Sequence, residues 1–271
     1  MKTIGNYNIG PLIGEGSFGN IYSCNHKITK IEYAMKVDKN TNGLKTIKYE
    51  ASILKYLKKV SNITKIIHYG SLDNKQYMVM ELYGLTIEEY MISNNSLKLE
   101  DKVNYALQML TIIKCVHDKG ILHRDIKPEN FVFTIDMRNL VLIDFGISKI
   151  YLDNDKTHKK QGTTNQIIGC IRYASTYSHD KLELSRRDDM ISLLYSLLYI
   201  FCGRLPWENI MSNSKIDLVK KLKCDFNSNN DGDSTIAKLR HILCYLYNLE
   251  YTEKPNYFLI EIHINNILEN T

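Results

Sequence analysis

At 271 residues the chain is long enough for one catalytic unit or for two subdomains, and 44% hydrophobic with 24% charged residues is the balance of a globular protein, which excludes a disordered or fibrous chain. Lys+Arg 35 against Asp+Glu 30 leaves a net charge of +5, a mild excess that suits acidic substrates. The basic residues are scattered, and the short clusters Lys159-Lys160 and Lys220-Lys221-Lys223 fall short of the stripe that nucleic-acid binding needs, so no nucleic-acid partner is expected.

The first stretch is predicted to be mostly strand. Two β-patterned runs, 9–13 and 20–24, flank Gly14-Glu15-Gly16-Ser17-Phe18-Gly19. A lone G-x-G-x-x-G is a weak signal, and a dinucleotide-binding turn is its rival. That turn leads into a helix, whereas this one runs on as Asn20-Ile21-Tyr22-Ser23-Cys24, which favours a hairpin whose glycines let backbone N–H groups approach phosphates. Next comes Glu32-Tyr33-Ala34-Met35-Lys36-Val37, a strand with Lys36 among apolar neighbours; taken alone, Lys36 also reads as an edge-strand surface lysine. A helix is predicted over 44–59, where Ile47, Ala51, Leu54 and Leu57 or Lys58 trace a spacing that turns Glu50 inward as a counter-charge for Lys36, with Glu32 as the rival partner. Strands follow at 66–67 and 77–82, then a helix over 86–91. From residue 99 to 117 the apolar residues Val103, Ala106, Leu107, Leu110, Ile113 and Val116 predict a long buried helix ended by Gly120.

Residues 123–146 read HRDIKPENFVFTIDMRNLVLIDFG. Asp125 and Asn130 precede a hairpin pattern, Phe131-Val132-Phe133 and Leu140-Val141-Leu142-Ile143, and Asp144 follows it, so the three are expected at one mouth. Residues 147–168 are polar and unpatterned, and their Thr157, Thr163 and Thr164 read either as phosphorylation sites or as solvated loop threonines. The run 190–202 is too short to span a bilayer and is predicted as a buried helix; no signal peptide precedes the first strand, and no membrane association is expected. Six cysteines lack C-x-x-C or zinc spacing, and those in apolar runs are expected to be buried, reduced thiols of a cytoplasmic or nuclear protein.

The HRD-x-K-x-x-N and DFG strings resemble the catalytic and metal-binding loops of the eukaryotic protein kinases. Lys127, two residues after Asp125, is the arrangement of the Ser/Thr members. Further on, Gly169-Cys170-Ile171-Arg172-Tyr173-Ala174-Ser175, Ser185-Arg186-Arg187-Asp188-Asp189 and Leu205-Pro206-Trp207 are similar to the G-T-A-R-Y-A-S, S-R-R-D-D and L-P-W motifs of the casein kinase 1 family, which also lacks A-P-E. The likeness runs from Tyr7 to Ile267 and includes Lys254-Pro255-Asn256-Tyr257.

That resemblance implies an α+β, bilobal protein-kinase fold, with a small β-rich N-lobe over 1–83 and a larger, mainly helical C-lobe over 84–271, together one domain. It implies transfer of the ATP γ-phosphate, with Mg²⁺, to Ser or Thr placed after acidic or phosphorylated residues of protein substrates, by a monomer. Asp125 would orient the hydroxyl, Lys127 would neutralise the transferred phosphoryl, and Asn130 and Asp144 would hold the metal. Lys36 and Glu50 would anchor phosphates under the loop of Gly14, Gly16, Ser17 and Gly19. Met80 at the back of the pocket, backbone groups of Glu81 and Tyr83, and Ile13, Ile21, Ala34, Val132 and Ile143 complete the nucleotide site. Arg172, with Lys215 if a three-residue gap follows Trp207, would form the substrate anion pocket; Lys215 reads equally as a solvated lysine. Asp189 would hydrogen-bond the catalytic-loop backbone.

The chain departs from the family at Glu129 in place of Asp, at Cys170 in place of a Thr hydroxyl, and at Ser175-Thr176-Tyr177-Ser178 in place of S-I-N. It also ends without a long Ser/Thr-rich tail, which implies the lack of a tail-borne brake. The alternative reading is a catalytically weak scaffold, whose usual sign, a missing Lys or Asp of the motif set, is not met here.

Overall fold

Strand periodicity dominates the first third of the chain. In the computed structural model, which describes residues 3–16, 19–39, 46–72, 75–94, 97–210, 215–228 and 234–268, six strands form one antiparallel sheet. They are β1 (Thr3–Ile4), β2 (Tyr7–Glu15), β3 (Gly19–His26), β4 (Glu32–Asp38), β5 (Ile66–Leu72) and β6 (Lys75–Glu81), in the order β1-β2-β3-β4-β6-β5. Side chains alternate across a strand, so β4 sends Met35 to one face and Ala34 and Lys36 to the other. Met35 closes an apolar cluster with Tyr7, Cys24, Tyr77 and Val79. Helix α1 (Thr46–Tyr56) packs against β4, β5 and β6 and buries Ile47, Glu50, Ala51 and Leu54. Each such aliphatic side chain contributes roughly 1.5–3 kcal/mol on burial. The helix predicted over 44–59 is shorter than expected; its first two positions lie outside the described residues, and at its end Val60 N–H closes a turn on Leu57 O at 2.8 Å.

The chain divides into two compact units, Met1–Gly84 with Val132–Ser148, and Leu85–Phe131 with Lys149–Thr271. Segment Val132–Ser148 therefore groups with the first unit, whereas a single cut at residue 83 leaves it with the second. The hairpin of β8 (Phe131–Phe133) and β9 (Leu140–Leu142) is buried throughout. Two backbone bonds and one from a side chain explain the grouping: Thr64 N–H donates to Leu142 O at 3.0 Å, Leu142 N–H to Asn62 O at 2.9 Å, and the side-chain Asn62 Nδ2 to Leu140 O at 2.8 Å.

The second unit is helical. Helix α2 (Ile87–Ser93) begins with a capping box, in which Thr86 Oγ1 accepts Glu89 N–H at 3.0 Å and Glu89 Oε2 accepts Thr86 N–H at 2.8 Å. Helix α3 (Leu99–His117) buries Val103, Ala106, Leu110, Ile113 and Val116 as its periodicity predicts. Strand β7 (Ile121–Leu122) pairs with β10 (Lys149–Ile150). Between β10 and the short helix α4 (Thr176–His179) the chain is irregular, tied by single bridges at Leu152–His158 and Thr163–Leu182. Helix α5 (Arg186–Cys202) is buried from Met190 to Ile200 save Ser192. Helices α6 (Ile216–Ser228), α7 (Ser234–Tyr247) and α8 (Tyr257–Asn265) complete the unit, α7 packing on α5 and α8.

Among the described residues no helix is long and apolar enough to cross a membrane. The expectation of mostly buried cysteines is corrected: none of the six is in a disulfide among the described residues, but Cys24 alone is buried, Cys115 and Cys170 are half-buried, and Cys202, Cys224 and Cys244 are exposed. Cys202 ends α5, and Cys224 and Cys244 lie on the outward faces of α6 and α7, where an apolar run in sequence is only one stripe of a helix.

Candidate active site

In the first unit the site is built around one lysine. Lys36, only 3% exposed, donates to Glu50 Oε2 at 2.8 Å and to Asp144 Oδ1 at 2.7 Å. Phe145 N–H donates to the other Glu50 oxygen at 3.2 Å. Burial alone would pull the Lys36 ammonium down, but the two carboxylates hold it above its ordinary value. Burial pushes the Glu50 carboxyl up, with Asp144 adding to the effect and Lys36 and Phe145 N–H opposing it. Because both Glu50 oxygens are acceptors, one of them for an ammonium, the pair is ionised. Glu32, exposed at the start of β4, is not part of it. Asp144 adopts φ of +62°, a left-handed conformation costing on the order of 1–3 kcal/mol where tertiary contacts impose it.

The remaining nucleotide-site candidates of this unit lie on β2, β3, β4, β6 and β8 or in the residues that adjoin strands. Gly14 pairs with Ile21 across the β2–β3 hairpin, and Gly16 N–H bonds Gly19 O at 3.0 Å. A Cβ at Gly19 would meet Val37 O at 2.7 Å, so the hairpin needs glycine there. Ser17 lies outside the described residues. Ile13 is half exposed, while Ala34, opposite Met80 in the β4–β6 register, and Val132 are buried. Ile143 immediately precedes Asp144 and is half-buried. Tyr83 OH donates to Glu81 Oε2 at 2.8 Å, and Gly84 N–H to Phe133 O at 2.8 Å.

In the second unit the catalytic-loop candidates form their own network. Asp125 Oδ2 lies 2.8 Å from Lys127 Nζ, and Asp125 Oδ1 accepts Cys170 N–H at 2.9 Å. Burial alone would lower Lys127, but the Asp125 carboxylate holds it above its ordinary value. Asn130 Nδ2 donates to Asp125 O at 2.7 Å and to Asp125 Oδ2 at 3.1 Å. Both partners are acceptors, which fixes the amide with its oxygen turned away from Asp125. Cys170 thus reaches Asp125 through its backbone N–H, a contact that does not depend on the side chain. Gly169, at φ of +84°, lets the two segments approach: a Cβ there would meet Arg124 O at 2.4 Å. Arg124 itself sits at φ of +68°. Asp189 holds it, accepting Arg124 N–H and His123 N–H at 2.8 Å each and His117 Nε2 at 2.9 Å. Burial alone would raise the Asp189 carboxyl, but these donors keep it below its ordinary value.

Arg172 is engaged within the chain. Its Nη1 lies 3.3 Å from Glu88 Oε1, its Nη2 bonds Glu208 Oε1, and its guanidinium stands 4.5 Å from the Tyr199 ring centre. Lys215 is exposed immediately before α6, whereas the partners of Arg172 among the described residues are Glu88 and Glu208. The lysine that does reach this segment is Lys223, which donates to Ile171 O and Ala174 O at 2.6 Å each and which sequence reasoning passed over. Asp188 and Arg187 also escaped it. Asp188 accepts Ser175 Oγ at 2.6 Å and Ser185 N–H at 2.8 Å, and Arg187 donates to Leu249 O at 2.6 Å with its guanidinium 3.7 Å over Tyr177. The Ser185-x-x-Asp188 spacing, a capping-box pattern, was the available signal for Asp188.

Oxygen donors are what Mg²⁺ takes. The Asp144 carboxylate of the first unit and the outward amide oxygen of Asn130 of the second are each of that kind, and among the described residues no group of three or more His, Cys, Asp or Glu could hold a metal ion. The donor chemistry therefore fits a metal that keeps waters and phosphate oxygens in its remaining positions.

Two comparisons bear on this arrangement. The protein kinase domain profile matches residues 7–257. A probable serine/threonine-protein kinase of Dictyostelium discoideum is 29% identical over 266 residues, covering 96% of this chain and 53% of the relative. The chain thus spans about half the length of the curated relative it matches. With the profile covering nearly all of both units, the chain belongs to the protein kinase domain family.

Proposed function

We propose that the chain is an ATP-dependent serine/threonine protein kinase of the casein kinase 1 type, acting as one catalytic domain on protein substrates whose Ser or Thr follows an acidic or phosphorylated residue. The observation that carries the reading is the Asp125 carboxylate, held by Cys170 N–H at one oxygen and 2.8 Å from Lys127 at the other. A carboxylate so fixed accepts a hydrogen bond from an incoming hydroxyl, and the adjacent ammonium offsets charge on a phosphoryl oxygen. Lys36 has two of its three donors taken by Glu50 and Asp144 among the described residues, which leaves one for a nucleotide phosphate. The glycine hairpin offers backbone N–H groups to the same phosphates. Asp144 and Asn130 would hold Mg²⁺, which when bound neutralises charge between the phosphates. Arg172, a planar fork suited to phosphate, is the candidate reader of the upstream anion.

The test is transfer from labelled ATP with Mg²⁺ to a Ser-containing peptide, with Asp125→Asn beside the wild type. The variant should lose turnover by roughly 10²–10⁴-fold, the range for a proton-handling group. Equal rates in the two would remove Asp125 from the chemistry, and no transfer by folded, ATP-binding wild type would remove the kinase reading.

A further inference from the structure

The anion reader of the proposed site is already occupied from within. Arg172 Nη1 lies 3.3 Å from Glu88 Oε1, and Nη2 bonds Glu208 Oε1; Nε alone lacks a partner among the described residues. The rest of the side chain is boxed in, with Tyr199 and Tyr173 ring centres 4.5 and 5.2 Å away and Trp207 Nε1–H donating to the Arg172 carbonyl at 2.8 Å. Glu208 is itself fixed, because its second oxygen accepts Leu205 N–H at 3.1 Å. Glu88 sits in the first turn of α2, behind the Thr86–Glu89 capping box.

Two carboxylates against one guanidinium leave the pocket with a net charge of −1, and Glu129, which senses both Glu88 and Arg172, lies within their field. An incoming substrate carboxylate would exchange one carboxylate for another of the same kind while meeting like charge. The intramolecular partners also hold the advantage of already being ordered. A phosphate dianion brings more charge and three acceptor oxygens, yet it must displace the same clamp.

We infer that Glu88 and Glu208 are specificity-determining residues that restrict the Arg172 subsite, so that an upstream acidic or phosphorylated residue gives a substrate a smaller advantage than Arg172 could supply. The inference rests on Arg172 being the anion reader, as proposed above. Neither glutamate takes part in phosphoryl transfer; they act by withholding Arg172 from the peptide.

The experiment compares kcat/KM for three peptides that differ only at the upstream position, phosphoserine, aspartate or alanine. The enzymes are wild type, Glu88→Gln/Glu208→Gln, and each of these with Arg172→Gln. Gln keeps size and a hydrogen-bonding oxygen, and each single variant serves as the fallback if the double variant is poorly folded. Opening the clamp should raise the phosphoserine-to-alanine ratio roughly tenfold, the worth of about one freed charge-assisted hydrogen bond, through KM and not kcat. The aspartate-to-alanine ratio should rise as well, the alanine peptide should hardly change, and Arg172→Gln should cancel both gains. Unchanged ratios in the double variant while Arg172→Gln lowers the wild-type ratio would overturn the clamp but keep the reader. Ratios indifferent to Arg172→Gln in both backgrounds would instead remove Arg172 as the reader.

Discussion

Asp188 and Asp189 are neighbours, both 2% exposed, yet burial has opposite outcomes for them. Asp189 accepts two backbone N–H groups and an imidazole, enough to keep its carboxyl below the ordinary value. Asp188 accepts a serine hydroxyl and one N–H, and burial pushes it up to about 6. Its native form therefore holds a proton, between pH 4 and 6, that the unfolded chain releases, so this residue's contribution to stability falls as pH rises through that window. At about 1.4 kcal/mol per pH unit, the move from 3.8 to about 6 corresponds to roughly 3 kcal/mol. Asp188→Asn should lack this slope, so its stability relative to wild type should grow between pH 4 and 7. Parallel denaturant-unfolding curves for the two proteins across that range would refute the assignment. The Lys36–Glu50 pair, by contrast, was legible as residues: a single lysine in an apolar strand and a glutamate on the apolar stripe of the next helix.

At the scale of elements, α6 reaches the segment of Arg172 through one buried side chain. Lys223 donates to the carbonyls that flank Arg172-Tyr173, and its ammonium stands 5.2 and 5.3 Å from the ring centres of Tyr195 and Trp207. Burial lowers it to about 7, and the two carbonyls and two ring faces are what a charged ammonium requires. Lys223→Met keeps the volume and strands both carbonyls, at roughly 1–3 kcal/mol for each unsatisfied group. The urea midpoint should drop accordingly; a midpoint equal to that of wild type would show that water or backbone movement replaces the lysine. The sequence could not announce this, because Lys223 sits in the run Lys220-Lys221-Leu222-Lys223. Composition reads that run as a solvated face, and only the packing turns its last member inward. The same ambiguity misled the cysteines, whereas α3 was readable from its periodicity and α5 from its apolar run 190–202, although α5 begins earlier, at Arg186.

Across the whole molecule the residues proposed for the chemistry divide between the two units: Lys36, Glu50 and Asp144 belong to the first, Asp125, Lys127 and Asn130 to the second. Nucleotide binding and turnover should therefore separate by mutation. Asp125→Asn should keep the thermal stabilisation given by saturating Mg-ATP, about 2.7 kcal/mol at a hundredfold excess over Kd. Lys36→Met should lose most of it, from a lower baseline, because removing one partner of a buried pair costs roughly 3–5 kcal/mol. A differential-scanning experiment with and without Mg-ATP decides it, and equal shifts in both variants would contradict the division of labour.

Sequence alone determined the protein kinase family, the strands and helices from β2 to α3, the β8–β9 hairpin and the buried helix α5, and it proposed which residues carry phosphoryl transfer, because those follow from local periodicity and from short motifs with fixed spacing. The tertiary structure alone decided which charges meet. The neutralisation of Arg172 by Glu88 and Glu208, residues 84 and 36 positions away, and the inward turn of Lys223 depend on long-range packing. A linear pattern of charges does not encode such partners, since any carboxylate has the same local preferences wherever its counter-charge lies.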